Sequence, residues 1–218
     1  MSHSLSVKRV ESVSDRADAL EVLKATYLDE KAWVQSKDQM FPEEDLHREA
    51  ISWFACYRDD QPVGVVRVLY EPPIELYEEY GFSQIDPSLE IDVEAFVKNN
   101  RIAEIGRFAV IPEYRRFVVF AASLMKAASE ETIRRGFSHY VTDVFEGEQH
   151  SPYDFHTRVM GFIPVATHDV GELNCPNRRI TLILDLRQAY FRLKKSKNKI
   201  YRMLTEGWTE DMHERLAS

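Results

Sequence analysis

Three residues that could do chemistry interrupt the apolar, strand-like segment AEIGRFAV at residues 103–110, namely Glu104, Gly106 and Arg107. A carboxylate can accept a proton, but a buried carboxylate or guanidinium is costly unless it is paired or used. Because side chains alternate along a regular strand, Glu104 and Arg107 would face opposite sides. A β-bulge near Gly106 would put both charges on one face and free backbone N–H groups that can stabilise an oxyanion. We therefore predict a bulge there, with Arg67 across the hairpin from the pair.

The elements that would position this segment follow from the apolar pattern. Two strand-like runs within 52–70 flank DDQP, whose residues favour turns, and predict a hairpin. Residues 117–136 predict a helix ending at Gly136, and residues 151–162 predict a short helix that Ser151 caps. The other predicted elements are strands at 4–13, 101–112, 139–146, 162–170 and about 179–187, a helix from 15 to about 33, a connector or short helix at 41–51, and an insertion with short helical pieces at 71–100.

Strands that alternate with helices in this order indicate an α/β or α+β sheet covered by helices. The chain contains no internal repeat, low-complexity segment or flexible linker, so residues 1–218 are interpreted as one domain. From about residue 188 the sequence is helical and charged, which predicts a C-terminal helical extension.

Composition excludes several classes of protein. The chain has 28 basic and 36 acidic residues, a formal charge of −8, which argues against nucleic-acid binding. The N-terminus lacks an apolar signal core, and the longest apolar run, at 117–125, is shorter than the roughly 18 residues of a membrane span. Cys56 and Cys175 indicate neither a disulfide framework nor a zinc site, and no metal is expected. We expect a cytoplasmic protein.

Two segments resemble the GNAT acyltransferase superfamily: RFAVIPEYRR at 107–116 and TRVMGFIPV at 157–165. The first is similar to the acyl-donor strand and turn of that superfamily, and the second to its Y-x-x-x-G-F element. The resemblance covers roughly residues 5–187 and implies a GNAT fold: a mixed sheet of about seven strands, flanked by helices and splayed at the fourth strand. It also implies attack of an amine on a thioester carbonyl.

A narrower resemblance concerns the residues of the opening segment. Glu104 and Arg107, followed by Phe108, resemble the E-x-x-R-F of acyl-homoserine-lactone synthases and long-chain N-acyl amino acid synthases. Arg67 matches an arginine of that branch on the preceding strand, and Tyr27 and Trp33 resemble its N-terminal aromatic pair. The resemblance implies that Glu104, Arg107 and Arg67 form the catalytic group. It also implies acyl carrier protein as the donor's carrier.

The expected donor site departs from the superfamily pattern. Val118 and Phe120 occupy the two glycine places of the phosphate loop, where glycine lets backbone N–H groups approach a pyrophosphate. This departure favours the carrier-protein branch over ordinary acetyl-CoA binding. The resemblance assigns donor binding to Phe108, Ala109, Val110, Arg115, Arg116, Phe117, Val118, Val119 and Phe120.

The tyrosine that often protonates the leaving thiolate falls at Thr157, with Tyr153 and His156 nearby. Trp33, Tyr153 and His156 are therefore the candidates for substrate binding. The basic run at 192–202 is interpreted either as a solvated helix face or as a docking surface for an acidic carrier protein.

The sequence thus predicts an N-acyltransferase that moves an acyl group from a phosphopantetheine thioester, on acyl carrier protein or CoA, to a small amine. An amino acid is favoured as acceptor over S-adenosylmethionine. Two alternatives stay open. One is a conventional acyl-CoA-dependent N-acetyltransferase with a degenerate loop. The other is a catalytically inactive GNAT-like module that binds a ligand.

Overall fold

A mixed sheet forms the centre of the protein. The computed structural model describes residues 4–72, 83–84, 93–169, 173–196 and 199–217. The sheet has eight strands in the order β1-β2-β3-β5-β6-β8-β7-β4, with β5 and β6 parallel and the other neighbouring pairs antiparallel. The strands are β1 Leu5–Arg9, β2 Ile51–Arg58, β3 Gln61–Tyr70, β4 Ser83–Gln84, β5 Ile102–Val110, β6 His139–Phe145, β7 Ile163–His168 and β8 Arg179–Asp185.

The predicted GNAT-type sheet is confirmed, with one change in the count. The two-residue strand β4 adds an eighth strand, so the strand predicted as the fourth is β5 in chain order. Of the predicted insertion at 71–100, the structure describes β4 and a helix at Val93–Asn99. The other predicted helical pieces lie outside the described residues.

Helices cover both faces of the sheet. They are α1 Val13–Leu23, α2 Lys37–Met40, α3 Val93–Asn99, α4 Val118–Arg134, α5 Leu186–Lys195, α6 Lys199–Thr205 and α7 Glu210–Ala217, with 3-10 turns at Glu43–His47 and Pro112–Tyr114. The predicted C-terminal helices are present, and α6 and α7 pack on α4. No helix in the part of the chain that the structure describes is long and apolar enough to cross a membrane.

Two helical segments differ from the regular helices that the sequence predicted. Helix α1 begins at Val13, because Ser12 and Asp15 cap it reciprocally, and it continues as a π-helical segment, Lys24–Glu30. The helix predicted at 151–162 is π-helical over Phe155–Met160 and ends at Gly161, whose φ of 93° suits glycine. The π-helical turns border the site described below, as such turns often do.

The apolar core has one part on each face of the sheet. On β3, Val65 packs on the α1 side of the sheet. Val66 and Val68, which flank Arg67, pack on the α4 side. Side chains alternate between the faces of a strand, so Arg67 faces the α1 side. On β5, Ala103 and Ile105 belong to the α4 side, and Glu104 therefore faces the same side as Arg67.

Candidate active site

A β-bulge interrupts β5 beside the predicted position. Arg67 lies opposite Gly106 and Val65 lies opposite Ala109, so two steps along β3 match three steps along β5. The extra residue lies in the segment between Gly106 and Ala109, where Arg107 has a φ of +49°. The predicted bulge is confirmed, but the left-handed backbone belongs to Arg107. Such a conformation costs a non-glycine residue about 1–2 kcal/mol.

Gly106 serves close packing rather than backbone freedom. The Arg67 guanidinium donates from Nη2 to Glu104 Oε1 over 2.8 Å, and this ion pair lies against the glycine. A Cβ atom at position 106 would lie 2.9 Å from Arg67 Nη2 and 3.0 Å from Glu104 Oε1. Glycine leaves room for the ion pair here, and a larger residue would displace it. Arg67 lies opposite Gly106 and beside Glu104, as predicted, but through the pairing of β3 with β5; its partner across the hairpin of β2 and β3 is Trp53.

The sheet opens next to this ion pair. Strands β5 and β6 pair in parallel over Ile102–Glu104 and His139–Val141. At the next step the Thr142 hydroxyl donates to the Ile105 carbonyl over 2.7 Å and replaces a ladder hydrogen bond. Beyond this point β6 stays paired with β8, and the described part of the chain pairs no strand with β5 on that side. The result is the V-shaped opening that the sequence predicted in this strand.

Two adjoining cavities meet at the opening. The inner cavity has a volume of about 140 Å³, and both charges of the opening segment, Glu104 and Arg107, line it together with Arg67. The outer groove has a volume of about 490 Å³ and runs from Phe108 to the first turn of α4. The residues common to both are Tyr27, Lys31, Trp33, Phe108, His150, Ser151 and Pro152.

Cationic side chains line the inner cavity. Lys31 pairs with Glu148. Arg107 donates from Nη2 to the carbonyl of Gln39 over 3.1 Å, and its guanidinium lies 5.8 Å from the centre of the Tyr27 ring. The wall can therefore hold an anionic group of a ligand through charge-assisted hydrogen bonds.

A second polar group on the same cavity was not predicted from the sequence. Asp143 on β6 lines the cavity, Thr181 Oγ1 donates to its Oδ1 over 2.7 Å, and His168 Nε2 lies 3.0 Å from its Oδ2. Buried Arg179 donates to the carbonyls of Asp169 and Leu173, and its guanidinium also borders the cavity. These residues come from three different strands, so no local motif could have revealed them.

The outer groove is apolar with a basic mouth. Phe117 and Val118 are 41% and 43% exposed, and no side chain caps the N-terminus of α4. Arg116 lies over the Phe117 ring, with 4.7 Å between guanidinium and ring centre. Arg115 makes a two-pronged ion pair with Glu30, which holds the pKa of Glu30 below its usual range. Arg115 therefore serves this contact as well as lining the groove.

Three residues predicted for donor or substrate binding lie outside both cavities. Phe120 is 6% exposed and belongs to the apolar core, where it packs on Tyr114 and Phe117. Val119 and Tyr153 are partly buried against that core. Phe120 and Val119 lie on the first turn of α4, whose apolar side faces the sheet, so their side chains turn away from the groove. The remaining predicted donor-binding residues line the groove.

His156 lines the inner cavity behind Phe108, with 5.3 Å between the ring centres. The side chain is 1% exposed, and burial lowers the pKa of His156 to about 3. The imidazole is therefore uncharged at neutral pH and adds no cation to the cavity. Trp33 lies at the junction of both cavities, where Tyr27 and Phe145 pack against it.

Comparisons with known proteins agree with this architecture. The acetyltransferase (GNAT) family model matches residues 17–162. FeeM, an N-acyl amino acid synthase from uncultured soil microbes, shares 12% identity and a TM-score of 0.65, over 92% of this chain and 98% of FeeM. The ribosomal-protein-S18-alanine N-acetyltransferase from Escherichia coli shares 12% identity and a TM-score of 0.52, over 85% and 94% of the two chains.

A probable acetyltransferase from Staphylococcus epidermidis is similar at 10% identity and a TM-score of 0.59, over 84% of this chain and 99% of that one. At these identities the structural matches establish a shared fold. No curated protein matches the chain by sequence.

Proposed function

Because the chain belongs to the acetyltransferase (GNAT) family, we propose that it is an N-acyltransferase that moves an acyl group from a phosphopantetheine thioester to the amine of a small acceptor, such as an amino acid. The observation that carries the proposal is the meeting of the outer groove and the inner cavity at the bulge in β5. A thioester in the groove and an amine in the cavity would meet beside Phe108.

The groove supports the donor half of the proposal. Its apolar wall of Phe108, Phe117, Val118, Phe155 and Val159 suits the pantetheine arm and an acyl chain. At its end, the uncapped N-terminus of α4 and the Arg116 guanidinium favour a phosphate. The ladder between β3 and β5 shifts register at the bulge, and a backbone N–H group in this segment could bind the oxyanion of the tetrahedral intermediate.

The inner cavity supports the acceptor half. Arg107 can bind a carboxylate of the acceptor, while the Arg67–Glu104 ion pair fixes one wall of the cavity. Positioning of the amine against the thioester would then supply much of the rate enhancement. The likeness to FeeM, an N-acyl amino acid synthase, supports an amino acid as acceptor over S-adenosylmethionine.

The donor is proposed to be acyl carrier protein rather than CoA. Val118, which lines the groove, stands where the superfamily has a small residue that lets a loop wrap a pyrophosphate, whereas the Phe120 side chain is buried in the core. Phosphopantetheine carries a single phosphate, so it makes a smaller demand on this turn. The basic helical run around Arg192 and Lys195 supports contact with an acidic carrier.

The test is a matrix of donors and acceptors read by mass spectrometry. Purified protein receives acetyl-CoA, a long-chain acyl-CoA or a long-chain acyl carrier protein, each with a mixture of amino acids or with S-adenosylmethionine. Glu104→Gln is the variant expected to lose activity, and Glu214→Gln, at an exposed carboxylate in α7, is the matched control.

Each outcome of the matrix is informative. N-acyl amino acids from acyl carrier protein alone support the full proposal. Products from acetyl-CoA alone favour a conventional acetyltransferase. Thioesters that raise the melting temperature without turnover favour a ligand-binding module. If no thioester gives turnover and none raises the melting temperature, the proposal is overturned.

A further inference from the structure

Three carboxylates in the described part of the chain line the inner cavity, Glu104, Asp143 and Glu148, and Glu148 is paired with Lys31. Glu104 is paired with the Arg67 guanidinium at 2.8 Å. Asp143 contacts the Thr181 hydroxyl at 2.7 Å and the His168 imidazole at 3.0 Å, and no arginine or lysine among the described residues lies within ion-pair distance of it. An arginine or lysine beside a carboxylate makes it a weaker base, and of these three carboxylates Asp143 is the one without such a neighbour among the described residues.

The register of the sheet brings Asp143 to the same face as the ion pair. Val144 on β6 and Leu182 on β8 belong to the core on the α4 side. Their neighbours Asp143 and Thr181, which lie opposite each other, therefore face the α1 side and the cavity. The Asp143 side chain is 29% exposed, whereas the His168 side chain is fully buried. The carboxylate is thus fixed from behind and open toward the cavity.

We propose that Asp143 is the proton acceptor for the amine and that His168 and Thr181 are its positioning residues. This inference rests on the proposed N-acyltransferase function. An acceptor enters as an ammonium ion and gives one proton to Asp143. The neutral nitrogen then forms the C–N bond with the thioester carbonyl, the C–S bond breaks, and a second amine proton ends on the leaving thiolate. The proton on Asp143 passes to solvent, and the third proton stays on the amide.

Glu104 and Asp143 consequently have separate tasks. Glu104 holds Arg67 over Gly106 and shapes the cavity. Asp143 keeps acceptor capacity for an N–H donor, because a carboxylate has about four lone-pair sites and the Thr181 hydrogen bond uses one of them. General base catalysis of this kind typically contributes about 100-fold or more to the rate.

The experiment compares Asp143→Asn with the wild type and with Asp169→Asn, a control at an exposed carboxylate near Arg178. Asn keeps the size of Asp143 and an acceptor for Thr181. Two acceptors are used with the donor that the matrix identifies: the amino acid, which is an ammonium ion at the assay pH, and hydroxylamine, which is already uncharged. We expect a loss of about 100-fold in kcat for the amino acid and a much smaller loss for hydroxylamine, with an unchanged KM for the thioester.

A second pair of variants tests the positioning residue. The amide of His168→Gln can still donate toward Asp143, whereas His168→Leu cannot, so the Gln variant should keep more of kcat. Equal losses for both acceptors in Asp143→Asn would indicate a structural role and overturn the assignment, as would full activity of that variant. Turnover by wild type with an unaffected Asp143→Asn leaves the proposed function standing. Failure of wild type with every amine overturns both.

Discussion

Replacing Gly106 with alanine changes the candidate site by a single methyl group. The new Cβ would lie 2.9 Å from Arg67 Nη2, 3.0 Å from Glu104 Oε1 and 3.2 Å from Arg67 Nε. Gly106 is not among the residues with positive φ, so the backbone accepts alanine without strain. The ion pair must therefore shift, and the cavity wall that it forms shifts with it.

The effect on stability should be modest. Loss of a hydrogen bond between charged groups costs about 1.5–3 kcal/mol, and replacing glycine by alanine at a compatible position returns about 0.4–1 kcal/mol. The net loss is about 1–2 kcal/mol, which lowers Tm by about 2–8 °C for a chain of this size. The effect on rate should be larger, since misplacement by about 1 Å can cost a catalytic site about 100-fold.

Gly64→Ala is the matched control. Its Cβ would lie 3.0 Å from Leu124 Cδ1 and 3.2 Å from the carbonyl of Ala109, on the opposite side of the sheet from the ion pair. Overpacking there costs about 1–3 kcal/mol and leaves the ion pair in place; because Ala109 and Val110 line the outer groove, the KM for the thioester is measured separately from kcat. Thiol release is followed well below both melting temperatures. If Gly106→Ala keeps the kcat/KM of wild type, or if both variants lose it equally, the argument that the ion pair shapes the site is refuted.

Three further predictions follow from single side chains. Arg107→Gly should relieve the left-handed strain of about 1–2 kcal/mol, so chemical denaturation should show no loss of stability while kcat/KM falls. The folded pKa of His156, about 3, lies below its unfolded value of about 6.5. The unfolded chain thus binds the proton first as the pH is lowered, so the free energy of unfolding decreases by about 1.4 kcal/mol per pH unit as the pH falls from about 6.5 to about 3; denaturation of His156→Phe should lack this dependence. Val118→Gly should lower KM for acyl-CoA more than for acyl carrier protein, because it opens the first turn of α4.

The part of the site on β5 could be predicted from sequence because its determinants are local. The odd spacing of Glu104 and Arg107 required an extra residue between them if both were to face one cavity, and the structure has that bulge. Arg67 followed from the family resemblance, which places an arginine on the preceding strand, and the structure pairs that strand, β3, with β5. What the local pattern left undecided was which residue adopts the left-handed backbone, because glycine is usually the candidate and here Gly106 serves close packing instead.

The rest of the site depends on contacts distant in sequence. Arg115 looked like a phosphate ligand, but its partner is Glu30, which the π-helical end of the first helix brings to it. Asp143, Thr181 and His168 meet because β8 enters the sheet between β6 and β7. Strand order of this kind is set by packing of whole elements, and no spacing in the sequence encodes it.

The strain at Arg107 argues for a functional site over a purely structural ion pair. Residues with left-handed backbone persist where the surrounding structure compensates for them, and they cluster at binding and catalytic sites. A regular ladder through β5 would avoid this cost, but it would turn Arg107 away from Glu104. It would also exchange the faces of Ala109 and Val110, which now pack on the α1 side and the α4 side respectively. The bulge therefore makes sense as the feature that lets one strand serve both a groove for a thioester and a charged cavity for its acceptor.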